Sequence, residues 1–333
     1  MEKKIMIAIG VVAVIIVAAI GAALVLNNNS SSNSNVKILK LSEGTDATAY
    51  SPLDKEAVYN GSYPLSRYLY LYTDGVPAAD SSIGKWLAYI YSDDGQQKVS
   101  DAGFYPLADA EMQDMEAQLA APTADAKNIN GGFTESGSTT LGELTLLWST
   151  EFEGKTGIHV TIDQVGSGTG IERFINGLAE VAQASRAMKS SEITTAEGKG
   201  IDVVEWKVAV DGIALIVHGD NPVEELSMEQ LKGLFSGTIT NWNQVGGNDQ
   251  PVALYGREES SGTYATFEEL VLGTGVTYDD KMLKMPTNAA ILPEVEHNAG
   301  GIGYVGIGYA MEAAGIDSTA DVISFDLAIA REL

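Results

Sequence analysis

The chain has 333 residues, 45% of them apolar, and a formal net charge of -25 at pH 7, which is enough length and apolar content for two lobes with real cores. That charge excludes an extended nucleic-acid interface, because no basic stripe is available to neutralise phosphates. It does not exclude a small buried anion, since donors within a few ångströms decide such a site and distant carboxylates are screened over about 10 Å. With no cysteine, disulfides, thiol catalysis and a lipid-modified cysteine anchor are excluded, and His159, His218 and His297 lie too far apart for metal-ligand spacing.

Met1 to Lys4 carries two lysines, and Ile5 to Leu26 is an apolar run of the length that spans a membrane as a helix. A secretory signal has a shorter apolar core of roughly 7 to 15 residues. The run therefore reads as a retained N-terminal anchor with the chain that follows it outside, with cleavage near Ala22-Ala23 as the alternative. Asn27 to Asn35 is an Asn/Ser tether, so residues 1–35 stand apart from the fold. Asn29-Ser30-Ser31 and Asn60-Gly61-Ser62 match the N-x-[ST] acceptor pattern, a weak motif consistent with an extracytoplasmic location.

Val36 to Leu41 predicts a short strand and Pro52 to Tyr59 a helix. Tyr63 to Tyr72 is a β-rich aromatic run that reads as a buried strand. Helices are expected over Ile83 to Tyr91 and from Ser92 to about Ala102. Residues 108–130 form an acidic, Ala-rich helical connector that ends in Pro122 and a polar loop. Beyond it, Gly137-Ser138-Thr139-Thr140 follows a short run around Phe133 and opens a helix with Leu144, Leu147, Trp148 and Phe152 facing inward.

The alternating run Val160 to Gln164 then meets Gly166-Ser167-Gly168-Thr169-Gly170, and a helix is expected to continue through Phe174, Ile175, Leu178 and Val181, after which the chain reaches Ala184-Ser185-Arg186. Glycines let the backbone approach a ligand, and hydroxyls sit beside the free N–H groups of a first helical turn, which is an anion-binding arrangement. Taken alone, such a loop is a weak signal. A dinucleotide fingerprint fails, because Ile171 stands where a third glycine is needed and Arg186 where an acid is needed. No nucleotide P-loop motif occurs either.

Asp211 to Val217 reads as a buried strand, Ser227 as the N-cap of a helix, and Trp242 as a loop residue. A further hydroxyl-rich helix start follows the strand Val252 to Tyr255: Gly256-Arg257-Glu258-Glu259-Ser260-Ser261-Gly262-Thr263 leads into a helix with Phe267 and Leu270. Gly300 to Val305 is a glycine-flanked strand, followed by an acidic helical tail.

Together these blocks resemble the solute-binding proteins of phosphate ABC transporters, the Pst type. The resemblance rests on Gly137-Ser138-Thr139-Thr140, Val165 through Ile171, Ala184-Ser185-Arg186, Asp211-Gly212-Ile213-Ala214, Thr238 through Trp242, Arg257 through Thr263, Gly301-Ile302-Gly303-Tyr304 and Tyr63-Pro64-Leu65-Ser66-Arg67. It covers nearly everything from Val36 to about Ala310. In the family the Tyr-Pro-Leu-Ser-Arg strand and the helices after it come last, whereas here they come first, at residues 63–107. The chain therefore resembles a circular permutation, which exposed, neighbouring termini tolerate. A domain-swapped or truncated tandem product is the alternative.

The resemblance implies a two-lobed α/β periplasmic-binding-protein fold of type II, with residues 61–209 as the first lobe and residues 210–333 plus 36–60 as the second. The ligand would lie in the cleft between them. It implies a monomer that binds inorganic phosphate and passes it to a permease without catalysis, cofactor or metal. The implied ligand residues are Ser138, Thr139, Thr140 and Ser167, with Arg257, Ser261, Gly262 and Thr263 from the other lobe, and Arg186 where some members have an aspartate.

Guanidinium forks, hydroxyls and N–H groups suit a dehydrated tetrahedral ion. Without an acid at position 186 an acceptor for the proton of phosphate must come from elsewhere: Glu135, Glu258 and Glu259 are the neighbours in sequence, and a hydroxyl oxygen is the other acceptor. Sulfate, molybdate or tungstate binding is the alternative within binding proteins. A phosphatase is the alternative among enzymes, opposed by the lack of a nucleophile–base pair or a metal-activated water.

Overall fold

The computed structural model describes residues 35–315, so the anchor, nearly all of the tether and the end of the acidic tail lie outside the described residues. In chain order the elements begin β1 (Val36–Ile38), β2 (Lys40–Ser42), α1 (Lys55–Tyr59), β3 (Ser66–Asp74), α2 (Ser82–Ile90), α3 (Asp93–Asp101) and α4 (Asp109–Leu119). There follow β4 (Phe133–Gly137), α5 (Gly142–Thr156), β5 (Val160–Gln164), α6 (Ser167–Ile175), β6 (Val181–Ala184), α7 (Ser190–Glu197) and β7 (Val203–His218). The remainder is β8 (Glu225–Ser227), α8 (Met228–Phe235), β9 (Ala253–Arg257), α9 (Gly262–Phe267), β10 (Leu283–Met285), α10 (Leu292–Glu296), β11 (Gly301–Gly306) and α11 (Ile307–Ala313).

Short polar side chains start several helices. Ser81 and Ser92 accept from the backbone N–H groups of Gly84 and Gly95, and Ser227 with Gln230 forms a reciprocal capping box at α8. Two expectations change. The helix after Ser167 ends at Ile175, because Asn176 and then Gly177 at φ +69° close it. Leu178, on the apolar face expected of that helix, is 70% exposed, and Val181 opens β6 instead. The strand expected over Val36 to Leu41 is two short strands: β1 pairs antiparallel with β7 and β2 pairs parallel with β8.

Topology centres on β7, a 16-residue strand. Its first part, Val203 to Gly212, pairs antiparallel with β3. Beyond β3 lie β6, β4 and β5, with β4 parallel to both β5 and β6. Its last part, Ile213 to His218, pairs with β11 and β1, and β9 and β10 continue the sheet parallel to β11. One strand thus feeds two half-sheets of mixed α/β type, and the changeover falls at Asp211-Gly212-Ile213.

Aromatic side chains fill both halves. In one, Trp86 meets Phe152 edge-on at 5.0 Å and Trp148 at 6.2 Å. In the other, Phe267 stacks on Tyr304 at 4.1 Å. Such pairs add about 0.5–1.5 kcal/mol each beyond their burial. The leading residues belong fully to this core: Leu39, Leu41, Leu69 and Leu71 are wholly buried, and β3 lies between β6 and β7.

Candidate functional site

The carboxyl ends of parallel strands are where open α/β sheets place their ligands, and three such ends converge here. β4 ends at Gly137, whose φ of +150° and close approach to the Gln183 carbonyl leave no room for a side chain. The chain then turns through Ser138, Thr139 and Thr140 into α5. β5 leads through Gly166, at φ +87°, into Ser167 and α6. β9 ends in Arg257 and passes through Glu258 to Ser261 into α9.

The loops from the two half-sheets touch. Arg257 Nη2 donates to Thr139 Oγ1 at 2.5 Å, the hydroxyls of Thr140 and Thr263 lie 2.9 Å apart, and the Gly168 N–H donates to the Ser260 carbonyl at 3.1 Å. Gly262 fits only because it lacks a Cβ, which would stand 2.4 Å from Ser167 Oγ and 2.5 Å from Ser185 Oγ. Ser261 accepts from the Thr263 N–H at 3.1 Å and the Tyr264 N–H at 3.4 Å. Ser138 accepts from the Thr140 N–H at 3.1 Å, and Ser167 from the Ser185 N–H at 3.1 Å.

Of the nine residues expected, eight therefore share one buried seam between the loops. Arg186 does not join them. Its guanidinium forks onto Glu192 of α7 at 2.7 and 2.8 Å and donates to the Ala187 carbonyl, beside a groove lined also by Tyr68, Tyr70 and Lys189. The carboxylates considered as proton acceptors also face elsewhere. Glu135 accepts from the Trp86 indole at 2.8 Å within the aromatic core, Glu258 is exposed, and exposed Glu259 pairs with Lys284.

The residue that sequence reasoning missed is Arg67. Its Nη1 donates to the Ser185 carbonyl at 3.0 Å and its Nη2 to Thr263 Oγ1 at 3.0 Å, while Nε and Nη2 both donate to Asp211 Oδ2. Asp211 Oδ1 accepts from the Ile307 N–H at 3.0 Å. A signal was present: in β3 the buried positions alternate with partly exposed ones, and Arg67 occupies the buried phase of Leu69 and Leu71. A charge there needs a buried partner.

The electrostatics are lopsided. Arg257 is 1% exposed, and all its partners are neutral: the Asn288 side-chain carbonyl at 2.7 Å, Thr139 Oγ1, and the Pro286 and Met285 carbonyls. Burial, with Arg67 nearby, pushes its pKa down to about 10, so it stays charged at neutral pH. Two guanidiniums and one interior carboxylate, Asp211, leave the seam with one uncompensated positive charge. Among the described residues no group of His, Cys, Asp or Glu is gathered so as to hold a metal ion.

The model of the PBP superfamily domain matches residues 119–332 of this chain. The phosphate-binding protein PstS of Pseudomonas aeruginosa is 33% identical over 198 residues, 55% of this chain and 61% of that protein. The PstS of Staphylococcus saprophyticus is 35% identical over 191 residues, 56% of this chain and 59% of that protein. The chain thus spans about three fifths of the length of these curated relatives. Among solved structures, a phosphate ABC transporter substrate-binding protein of Clostridium perfringens with bound phosphate is 31% identical, with a TM-score of 0.51 over 56% of this chain and 78% of that one. The chain belongs to the PBP superfamily, and the relatives it resembles there are phosphate-binding proteins of the PstS type.

Proposed function

We propose that this protein binds inorganic phosphate between the loops that follow β4, β5 and β9, outside the cytoplasmic membrane, and delivers it to an ABC transporter permease without chemical change. The observation that carries this reading is Arg257, a buried cation with only neutral partners. Burying an unpaired charge is costly, and an anion at the seam turns that cost into charge-assisted hydrogen bonds. The PstS relatives are named for phosphate and the Clostridium perfringens structure holds it, and phosphate is an anion whose oxygens accept from guanidinium, hydroxyl and N–H donors.

On this reading the two half-sheets are two lobes, residues 61–209 and residues 210–333 plus 36–60, hinged where β7 changes partners at Asp211 to Ile213. The chain is a monomer held at the membrane by its N-terminal apolar run, and Arg186 supports the rim through Glu192 rather than holding the anion. The circular permutation accounts for the alignment pattern: the family model starts at residue 119, yet the preceding residues supply β3 at the centre of the sheet and the buried Trp86. A colinear comparison misses residues that are out of order but in place.

The function is tested by equilibrium dialysis of the full chain against labelled phosphate. One phosphate retained per chain is expected, and loss of retention in Arg257→Ala. No retention by the parent chain contradicts the reading. The permutation is tested by moving residues 36–107 behind residue 315, which should restore the family order with folding and binding kept. An unfolded product contradicts it.

A further inference from the structure

Three of the four bonds that hold the Arg257 guanidinium go to one stretch of chain, the loop that leaves β10. β10 runs parallel to β9 with Met285 opposite Arg257, so this loop opens beside the same seam. Arg257 Nε donates to the Met285 carbonyl at 3.4 Å, Nη2 to the Pro286 carbonyl at 2.9 Å and Nη1 to Asn288 Oδ1 at 2.7 Å. The fourth bond, from Nη2 to Thr139 Oγ1, crosses to the other half. The loop is itself braced, with the Ala290 N–H donating to Thr287 Oγ1 and the Ile291 N–H to the Asn288 carbonyl.

Asn288 is wholly buried, and only half of its amide is used. Oδ1 must face Arg257, because a guanidinium only donates, and that orientation fixes where Nδ2 lies. Nδ2 is closed off from solvent and has no acceptor among the described residues. An unmade buried bond of this kind costs stability, and so does a guanidinium without a counter-charge. An aspartate, of nearly the same shape, would relieve both: it would accept from Nη1 as the amide does, pair with the charge and carry no N–H group. Asn288 is thus the less stabilising of two nearly isosteric choices, a departure from local rules that is expected at functional positions.

We infer that Asn288 is a positioning residue of the anion site, a neutral anchor that fixes the Arg257 guanidinium through its amide oxygen and leaves the guanidinium charge for the ligand. This rests on the anion-binding reading above and adds a residue to its machinery. A carboxylate at this position would hold the same geometry but cancel the one positive charge in excess at the seam, since Arg67 is already matched by Asp211. An entering anion would then meet a like charge behind its own partner, and such juxtaposition in a buried site is strongly unfavourable.

The test compares Asn288→Asp and Asn288→Ala with the parent, all as the full chain, by melting temperature without ligand and by calorimetric titration with inorganic phosphate. Asn288→Asp should raise the melting temperature by about 2 °C or more and weaken phosphate binding by about a hundredfold or more. Asn288→Ala removes the anchor and keeps the charge, so it should lower the melting temperature and weaken phosphate binding by about tenfold. A purely structural Asn288 would make affinity follow stability in both variants. An Asp variant that binds phosphate as the parent does, or that is no more stable than the parent, overturns the inference but keeps the anion site. No phosphate binding by the parent overturns both.

Discussion

Arg67 and Asp211 stand opposite each other in the register of β3 and β7, and the arginine places both Nε and Nη2 on one carboxylate oxygen, at 2.9 and 2.6 Å. The pair sits where β7 passes from one half-sheet to the other. From there Arg67 reaches Thr263 and Asp211 reaches Ile307, so one ion pair is tied into both halves. Both side chains are almost fully buried, at 4% and 0% side-chain exposure. Breaking such a pair from one side strands a charge in the interior, at a cost of about 3–5 kcal/mol. Asp211→Ala should therefore lower stability in urea unfolding by that amount. The double variant Arg67→Met with Asp211→Leu should recover much of the loss, because the charge no longer needs a partner. Equal loss in the single and double variants would contradict a charge-based role.

Glu135 predicts a pH dependence. It is wholly buried, with Trp86 donating to Oε2, and burial pushes its pKa up to about 8. The unfolded carboxyl releases its proton near about 4.3, so between that pH and about 8 the native chain holds the extra proton. Stability then falls as pH rises through this window. Glu135→Gln keeps an acceptor for the indole and removes the titration. The variant should gain on the parent by a few kcal/mol as pH rises from about 5 to about 8 in thermal or urea unfolding. Parallel pH profiles for the two proteins would contradict this.

Gly262 predicts a separation of binding from folding. A Cβ there meets Ser167 Oγ and Ser185 Oγ at 2.4 and 2.5 Å, and Ser167 is pinned by the Ser185 N–H. Gly262→Ala should push the α9 loop away from the α6 loop and weaken anion binding by about tenfold or more. The stability cost should be only about 1–3 kcal/mol, as for overpacking elsewhere. Dialysis against labelled phosphate together with a melting curve separates the two effects.

The sequence made the three strand–loop–helix units legible because their chemistry is local. Gly137, Gly166 and the hydroxyls beside them announce a turn into a helix, and the structure brings these loops together. The aromatic β-run at Tyr63 to Tyr72 was legible as a strand, but Arg67 within it was not legible as part of the site. Its partner lies 144 positions away, and only the phase of the alternation marks it as interior. The overlong helix through Leu178 failed for the converse reason. The 3.6-residue spacing continued by chance past Asn176-Gly177, where the backbone turns. Motif position puts Arg186 at the anion, whereas Glu192, in the first turn of α7, offers its guanidinium a bidentate partner at once.

Arg257 carries the central claim, and calorimetric titration of the full chain with phosphate, beside Arg257→Ala, tests it most directly. The account predicts one phosphate per chain for the parent and no measurable heat for the variant. It also predicts that phosphate at about a hundredfold over its dissociation constant stabilises the parent by about 2.7 kcal/mol and leaves the variant unmoved. Undiminished binding by Arg257→Ala would contradict it, because the buried guanidinium would then not be what holds the anion.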